Sequence, residues 1–172
     1  MKKTNIKLRF IGSIDEGNVR KFVNEIKEEI ERNPESTSIT IYLSSSGGSV
    51  DIAVELFHFL KLLDCKITMV NMSCVNSAAV IVFAAGEERL SLPCSSFYVH
   101  SVTKKLDGSF TIDDLKRELQ EMTANTNKIA EILSSASNKS RSYWKRLMRK
   151  GSLLTSQKAK ELGLINGVSD YE

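Results

Sequence analysis

The sequence predicts an α/β protein with a mostly parallel sheet covered by helices. Three observations carry this. β-type runs alternate with amphipathic helical segments along the chain, one segment is small and apolar on every side, and a strand runs into a helix through a Gly-Gly turn. The 172 residues, 41% hydrophobic and 26% charged, suit one domain over 1–172 with a real core.

Residues 5–11 alternate apolar and polar side chains up to Gly12, as a strand with one buried face must. Val19, Phe22, Val23, Ile26 and Ile30 then recur at three- and four-residue steps until Asn33 and Pro34 stop them, which predicts an amphipathic helix. Residues 38–43 are β-branched and aromatic, and they lead through Ser44, Ser45, Ser46, Gly47, Gly48 and Ser49 into a second helix marked by Ile52, Leu56, Phe59, Leu60 and Leu63.

A further strand is expected over 66–72. After it, residues 77–86 are small and apolar all round and predict a buried helix. Residues 89–93 and 96–100 read as two strands separated by a turn, with His100 at the far end of the second. Ile112, Leu115, Leu119, Met122, Ile129 and Leu133 mark a helix too long for its own core, suited to packing on another subunit. A short helix around Tyr143, Trp144, Leu147 and Met148, a last helix over 156–162 and a strand over 164–168 complete the order.

Composition excludes several functions. Lys+Arg 24 against Asp+Glu 21 leaves +3, too little to demand a polyanion. The basic run Lys139, Arg141, Lys145, Arg146, Arg149 and Lys150 reads better as a solvated helix face than as a nucleic-acid patch, since Leu147 and Met148 give it an apolar side. Cys65, Cys74 and Cys94 form no C-x-x-C pair, so they are expected as small buried residues and no metal is expected. His58, among Leu56, Phe57, Phe59 and Leu60, is expected in the core or at an interface. The first residues form neither a signal peptide nor a membrane span, and a cytoplasmic location is the expectation.

The chemistry lies with Gly47-Gly48, Ser77 and His100. All three fall where strands end, so an α/β fold can bring them to one sheet edge. A nucleophilic hydroxyl needs a base, which His100 can supply, and amide donors for a negative oxygen, which Gly48 and Ala78 can supply. Taken singly, Ser77 also fits a helix N-cap, and Gly47-Gly48 fits a tight turn or a phosphate cradle. The missing third Gly and missing Gly-Lys-Ser/Thr speak against nucleotide motifs, and no cofactor is expected.

Four separated segments, 44–50, 76–86, 92–100 and 159–165, together resemble the Clp protease proteolytic subunit family, in order and over about residues 6–168. The resemblance implies a crotonase-like fold with a protruding handle helix over about 112–133, through which rings of subunits stack into a chamber. It also implies serine endopeptidase activity on peptides or unfolded proteins, with Ser77 as nucleophile, His100 as general base, and Gly48 and Ala78 as oxyanion donors.

The sequence departs from that family at the third catalytic position, where an acid is implied and Gly151 stands. No Asp or Glu lies between Glu131 and Glu161. Loss of the orienting acid costs serine proteases roughly 10⁴-fold in turnover. A Ser–His dyad, orientation of His100 by Asp170 or by a backbone carbonyl, and a catalytically impaired subunit serving an active ClpP-like paralogue all stay open. An acyl-CoA enzyme of the same fold is a further alternative, but it leaves Ser77 and His100 unexplained. The first strand begins near Asn5, leaving little chain for the family's axial gate, which argues against coupling to an AAA+ unfoldase.

Overall fold

The computed structural model describes residues 5–169. Its strands are β1 (Asn5–Ile11), β2 (Ser38–Ser45), β3 (Lys66–Asn76), β4 (Glu88–Ser91), β5 (Ser96–Val99), β6 (Ser152–Thr155) and β7 (Gly167–Val168). Its helices are α1 (Glu16–Arg32), α2 (Val50–Lys61), α3 (Ala79–Phe83), α4 (Ile112–Ser135), α5 (Arg141–Lys150) and α6 (Ser156–Glu161). The sheet runs β1-β2-β3-β4-β7, and every neighbouring pair on that path is parallel. The α/β, mostly parallel expectation therefore holds.

In β1 and β2 the buried residues alternate strictly, Ile6, Leu8 and Phe10 facing Ile39, Ile41 and Leu43 across the ladder, as a two-residue period dictates. Against them α1 buries Val19, Phe22 and Ile26, and α2 buries Ala53, Leu56 and Leu60. The five residues of α3 are all buried, Phe83 packing edge-on to Phe97 of β5 at 5.1 Å.

The feature that positions the site is a change of partner along β3. Its first half pairs β4, Thr68 to Asn71 opposite Glu88 to Ser91, and its last three residues pair β5. Fully buried Asn71 sits at the change, where its Nδ2 donates to Ser96 O at 2.9 Å and its Oδ1 accepts from Ser73 N–H at 3.1 Å. Its own carbonyl accepts from Leu92 N–H and Ser95 Oγ, so a buried amide with every group engaged fixes the branch point.

Several expectations are corrected here. β3 continues to Asn76 rather than ending at residue 72, because β5 gives its last residues a second partner. The helix expected over 77–86 shortens to five residues, since the chain must turn sharply after β3. The strand expected over 164–168 keeps only Gly167 and Val168. Strand β6 was not expected, and it pairs β5 antiparallel, Tyr98 opposite Leu153. His58 is exposed on α2 beside Phe57, not in the core. Cys65 and Cys74 are half-buried, and Cys94 is exposed in the turn before β5 with φ +63°.

Helix α4 starts with a capping box between Thr111 and Asp114, and among its residues burial begins only at Asn125. Ile112, Leu115 and Leu119, spaced as one stripe, are 73%, 47% and 65% exposed. About half of this helix, roughly 36 Å long at 1.5 Å per residue, extends away from the core. On α5, Trp144 and Met148 are buried while Arg141, Arg146, Arg149 and Lys150 face solvent, the amphipathic face expected of that basic run.

Candidate active site

Ser77 follows directly on β3, and His100 follows directly on β5, so the paired strands deliver both to the same carboxyl-terminal edge. Asn76 stands opposite Tyr98, and Ser77 N–H donates to Tyr98 O at 2.7 Å, extending the ladder by one bond. Ser77 is not the helix N-cap, a position held by Ala78 without a side-chain bond. Instead it occupies the left-handed region at φ +54°, one of two non-glycine residues described there. That conformation costs of order 1 kcal/mol for an L-residue and turns the chain from strand to helix.

The Gly47-Gly48 turn abuts this elbow. A β-carbon on Gly47 would fall 2.6 Å from Ser77 Cβ, 2.7 Å from Asn76 O and 3.2 Å from Ala78 N, so only glycine lets the two backbones approach. Gly48 is pinned from the other side by Ile14, whose N–H donates to Gly47 O at 2.8 Å and whose O accepts from Ser49 N–H at 2.9 Å. Among the described residues, the amides of Gly48 and Ala78 donate no hydrogen bond. Two free N–H groups therefore flank the serine, which is the composition of an oxyanion-binding pair. The neighbouring carboxylate, Asp15, is committed to capping α1. Its hydrogen bond from Ser13, and then that from Asn18 N–H, hold it below the usual carboxylate range.

His100 Nδ1 lies 2.7 Å from Ser101 O. A carbonyl oxygen only accepts, so this bond requires the proton on Nδ1 and leaves the Nε2 lone pair available as a base. The side chain of Tyr98 stacks on the imidazole at 5.2 Å between centroids with 24° between planes. No hydrogen bond joins Ser77 to His100 in this structure. Nucleophile–base contacts are commonly long before substrate binds.

Gly151, in the position where an acid is implied, caps α5 in the left-handed region at φ +65°. A β-carbon there would lie 3.0 Å from the Tyr98 hydroxyl, so the phenol occupies the space beside it. Asp170 lies outside the described residues. The orienting group that the structure gives His100 is the backbone carbonyl of Ser101.

Sequence reasoning passed over Tyr98, Ser101 and Asn71. For Tyr98 a signal existed: residues two apart on a strand share a face, which puts Tyr98 beside His100. Among the described residues no group of three or more His, Cys, Asp or Glu is placed to hold a metal, and no helix is long and apolar enough to cross a membrane.

Fold and site together define a class: a mostly parallel α/β protein with a serine and a histidine at the ends of two neighbouring strands. The comparison with known families agrees, since the profile described as Clp protease matches residues 5–172. This chain belongs to the Clp protease family. Among curated relatives, it is 28% identical over 130 residues to the ATP-dependent Clp protease proteolytic subunit 1 of Rhodopirellula baltica, covering 74% of this chain and 56% of that protein. It is 27% identical over 136 residues to the subunit 1 of Rhodococcus jostii, covering 77% and 61%. The chain thus spans under two thirds of the length of these two relatives. A solved ClpP1 mutant from Listeria monocytogenes superposes with a TM-score of 0.85 at 19% identity, over 96% of this chain and 92% of that one, and shows the shared fold.

Proposed function

We propose that this chain is a serine-type endopeptidase that cleaves peptides or unfolded proteins through an acyl-enzyme. The observation that carries this reading is the bond from His100 Nδ1–H to Ser101 O, which leaves Nε2 free to act as a base at the sheet edge that also carries Ser77. In this scheme Ser77 Oγ attacks the scissile carbonyl while His100 Nε2 takes its proton, and the carbonyl oxygen moves onto the amides of Gly48 and Ala78. The imidazolium then returns the proton to the leaving amine, and water, deprotonated by the same nitrogen, releases the acyl group. The exposed stripe of Ile112, Leu115 and Leu119 supports self-association through α4 into stacked rings that enclose the sites. We place it in the cytoplasm, where its half-buried and exposed thiols stay reduced.

A fluorophosphonate probe and a fluorogenic peptide test the reading. Wild type is expected to be labelled and to cleave, Ser77→Ala to lose labelling, and His100→Ala to lose at least about 10³-fold in turnover. An assembled wild type that neither labels nor cleaves overturns it. A second reading is then favoured by Gly151 in the acid's position: a catalytically impaired subunit that assembles with an active ClpP-like paralogue.

A further inference from the structure

We propose that Tyr98 is a positioning residue for His100, its ring supplying through one face part of the support that a carboxylate gives the base in a triad. This rests on the peptidase reading above. An orienting carboxylate does two things: it fixes the imidazole's plane and tautomer, and it stabilises the imidazolium formed when the nucleophile loses its proton. Here the first task falls to Ser101 O, which holds Nδ1–H. A neutral carbonyl contributes less than a full charge to the second, and among the described residues no carboxylate bonds the ring.

What meets the imidazole instead is the face of Tyr98, 5.2 Å away and 24° from parallel. An aromatic face carries negative quadrupole density and attracts a cation placed over it, and it attracts the neutral ring much less. The contact is therefore stronger in the charged state that accompanies bond formation than in the resting state. The phenolic oxygen takes no part in this. It lies over Gly151, and in a stacked arrangement its O–H cannot reach Nδ1 or Nε2 along the ring plane.

Two further facts fit this role. Through its main chain Tyr98 accepts the Ser77 N–H at 2.7 Å, so one residue ties the nucleophile's backbone and the base's side chain together. Gly151 has no β-carbon to push the ring off the imidazole, since one would stand 3.0 Å from the Tyr98 hydroxyl. The glycine in the acid's position and the tyrosine beside it form a matched pair.

The test is steady-state cleavage of a fluorogenic peptide by the assembled full chain, with Tyr98→Leu, Tyr98→Met and Tyr98→Phe. Tyr98 is 36% exposed, and thermal melting checks that each variant folds. Losing the aromatic face is expected to lower kcat roughly 3- to 10-fold with KM within about twofold, the size of a partly exposed cation–π contact. Tyr98→Phe, which keeps the face, is expected to recover most of that loss. An unchanged kcat in folded Tyr98→Leu and Tyr98→Met overturns the inference, as does a rise in KM alone, which would make Tyr98 a substrate contact. A loss in Tyr98→Phe as large as in Tyr98→Leu overturns it too, by assigning the effect to the hydroxyl. In all three cases a labelled, active wild type leaves the peptidase reading standing. A wild type that is neither labelled nor active removes both.

Discussion

Gly47 and Ser77 are held so close that a β-carbon on the glycine would stand 2.6 Å from Ser77 Cβ. With φ at +100°, Gly47 also has a backbone that L-residues rarely adopt. Gly47→Ala is expected to destabilise the fold by on the order of 2 kcal/mol or more, lowering the melting temperature by roughly 4–8 °C. It is also expected to abolish probe labelling of Ser77. Calorimetry and labelling on the same sample check both, and normal labelling at an unchanged melting temperature would contradict the close approach.

Placing an acid at Gly151 is expected to fail as a repair. At φ +65° a new side chain starts in the left-handed region, and its first carbon meets the Tyr98 hydroxyl before it can reach the imidazole. Gly151→Asp should cost about 1 kcal/mol of stability and leave kcat no higher than wild type. A several-fold gain in kcat would show that the acid's position still communicates with His100.

Arg89 is half-buried, and its three donated bonds go only to carbonyls: Leu164 O at 2.8 Å, Gly86 O at 2.7 Å and Ala136 O at 2.8 Å. Burial pushes its guanidinium below the usual arginine range, though it stays charged. The cation ties the ends of α3 and α4 to the segment before β7, where helix carbonyls favour positive charge. Arg89→Met is expected to cost about 2–4 kcal/mol, because the three acceptors lose their partner. A urea midpoint shifted by less than the experimental scatter would refute this.

Leu115 and Leu119 lie on the first half of α4 and are 47% and 65% exposed. Changing both to Asp is expected to leave far-ultraviolet circular dichroism unchanged and to shift sedimentation toward smaller species. Identical sedimentation of variant and wild type would remove this stripe from the assembly interface.

Acid is expected to weaken the start of α4. Hydrogen bonds from the Thr111 side chain, and then from its backbone N–H, hold the Asp114 carboxyl below its ordinary range. A depressed folded value means the stabilisation is present above the unfolded value near pH 4 and is lost as pH falls through the folded one. The melting-temperature gap between wild type and Asp114→Asn should therefore close below about pH 4. A gap that persists at pH 2 would assign the cap's effect to something other than charge.

The strand–helix alternation, the buried segment after Ser77, the apolar stripe on α4 and the missing acid are all legible in the amino-acid order, because periods of two and 3.6 residues and the absence of a side chain are local properties. The same order places Ser77 and His100 at strand ends, and so at one sheet edge. It takes the folded chain to show that β3 exchanges β4 for β5 at Asn71, that Ser77 turns through a positive φ instead of capping a helix, and that residues 152–155 form a strand. A two-residue period puts Tyr98 on the same face as His100, but the ring stacking and the bond to Ser101 depend on the rotamer of the imidazole, which that period leaves open. The first three of these are fixed by contacts between segments far apart in the chain. Pairing partners and backbone angles there follow from what packs alongside.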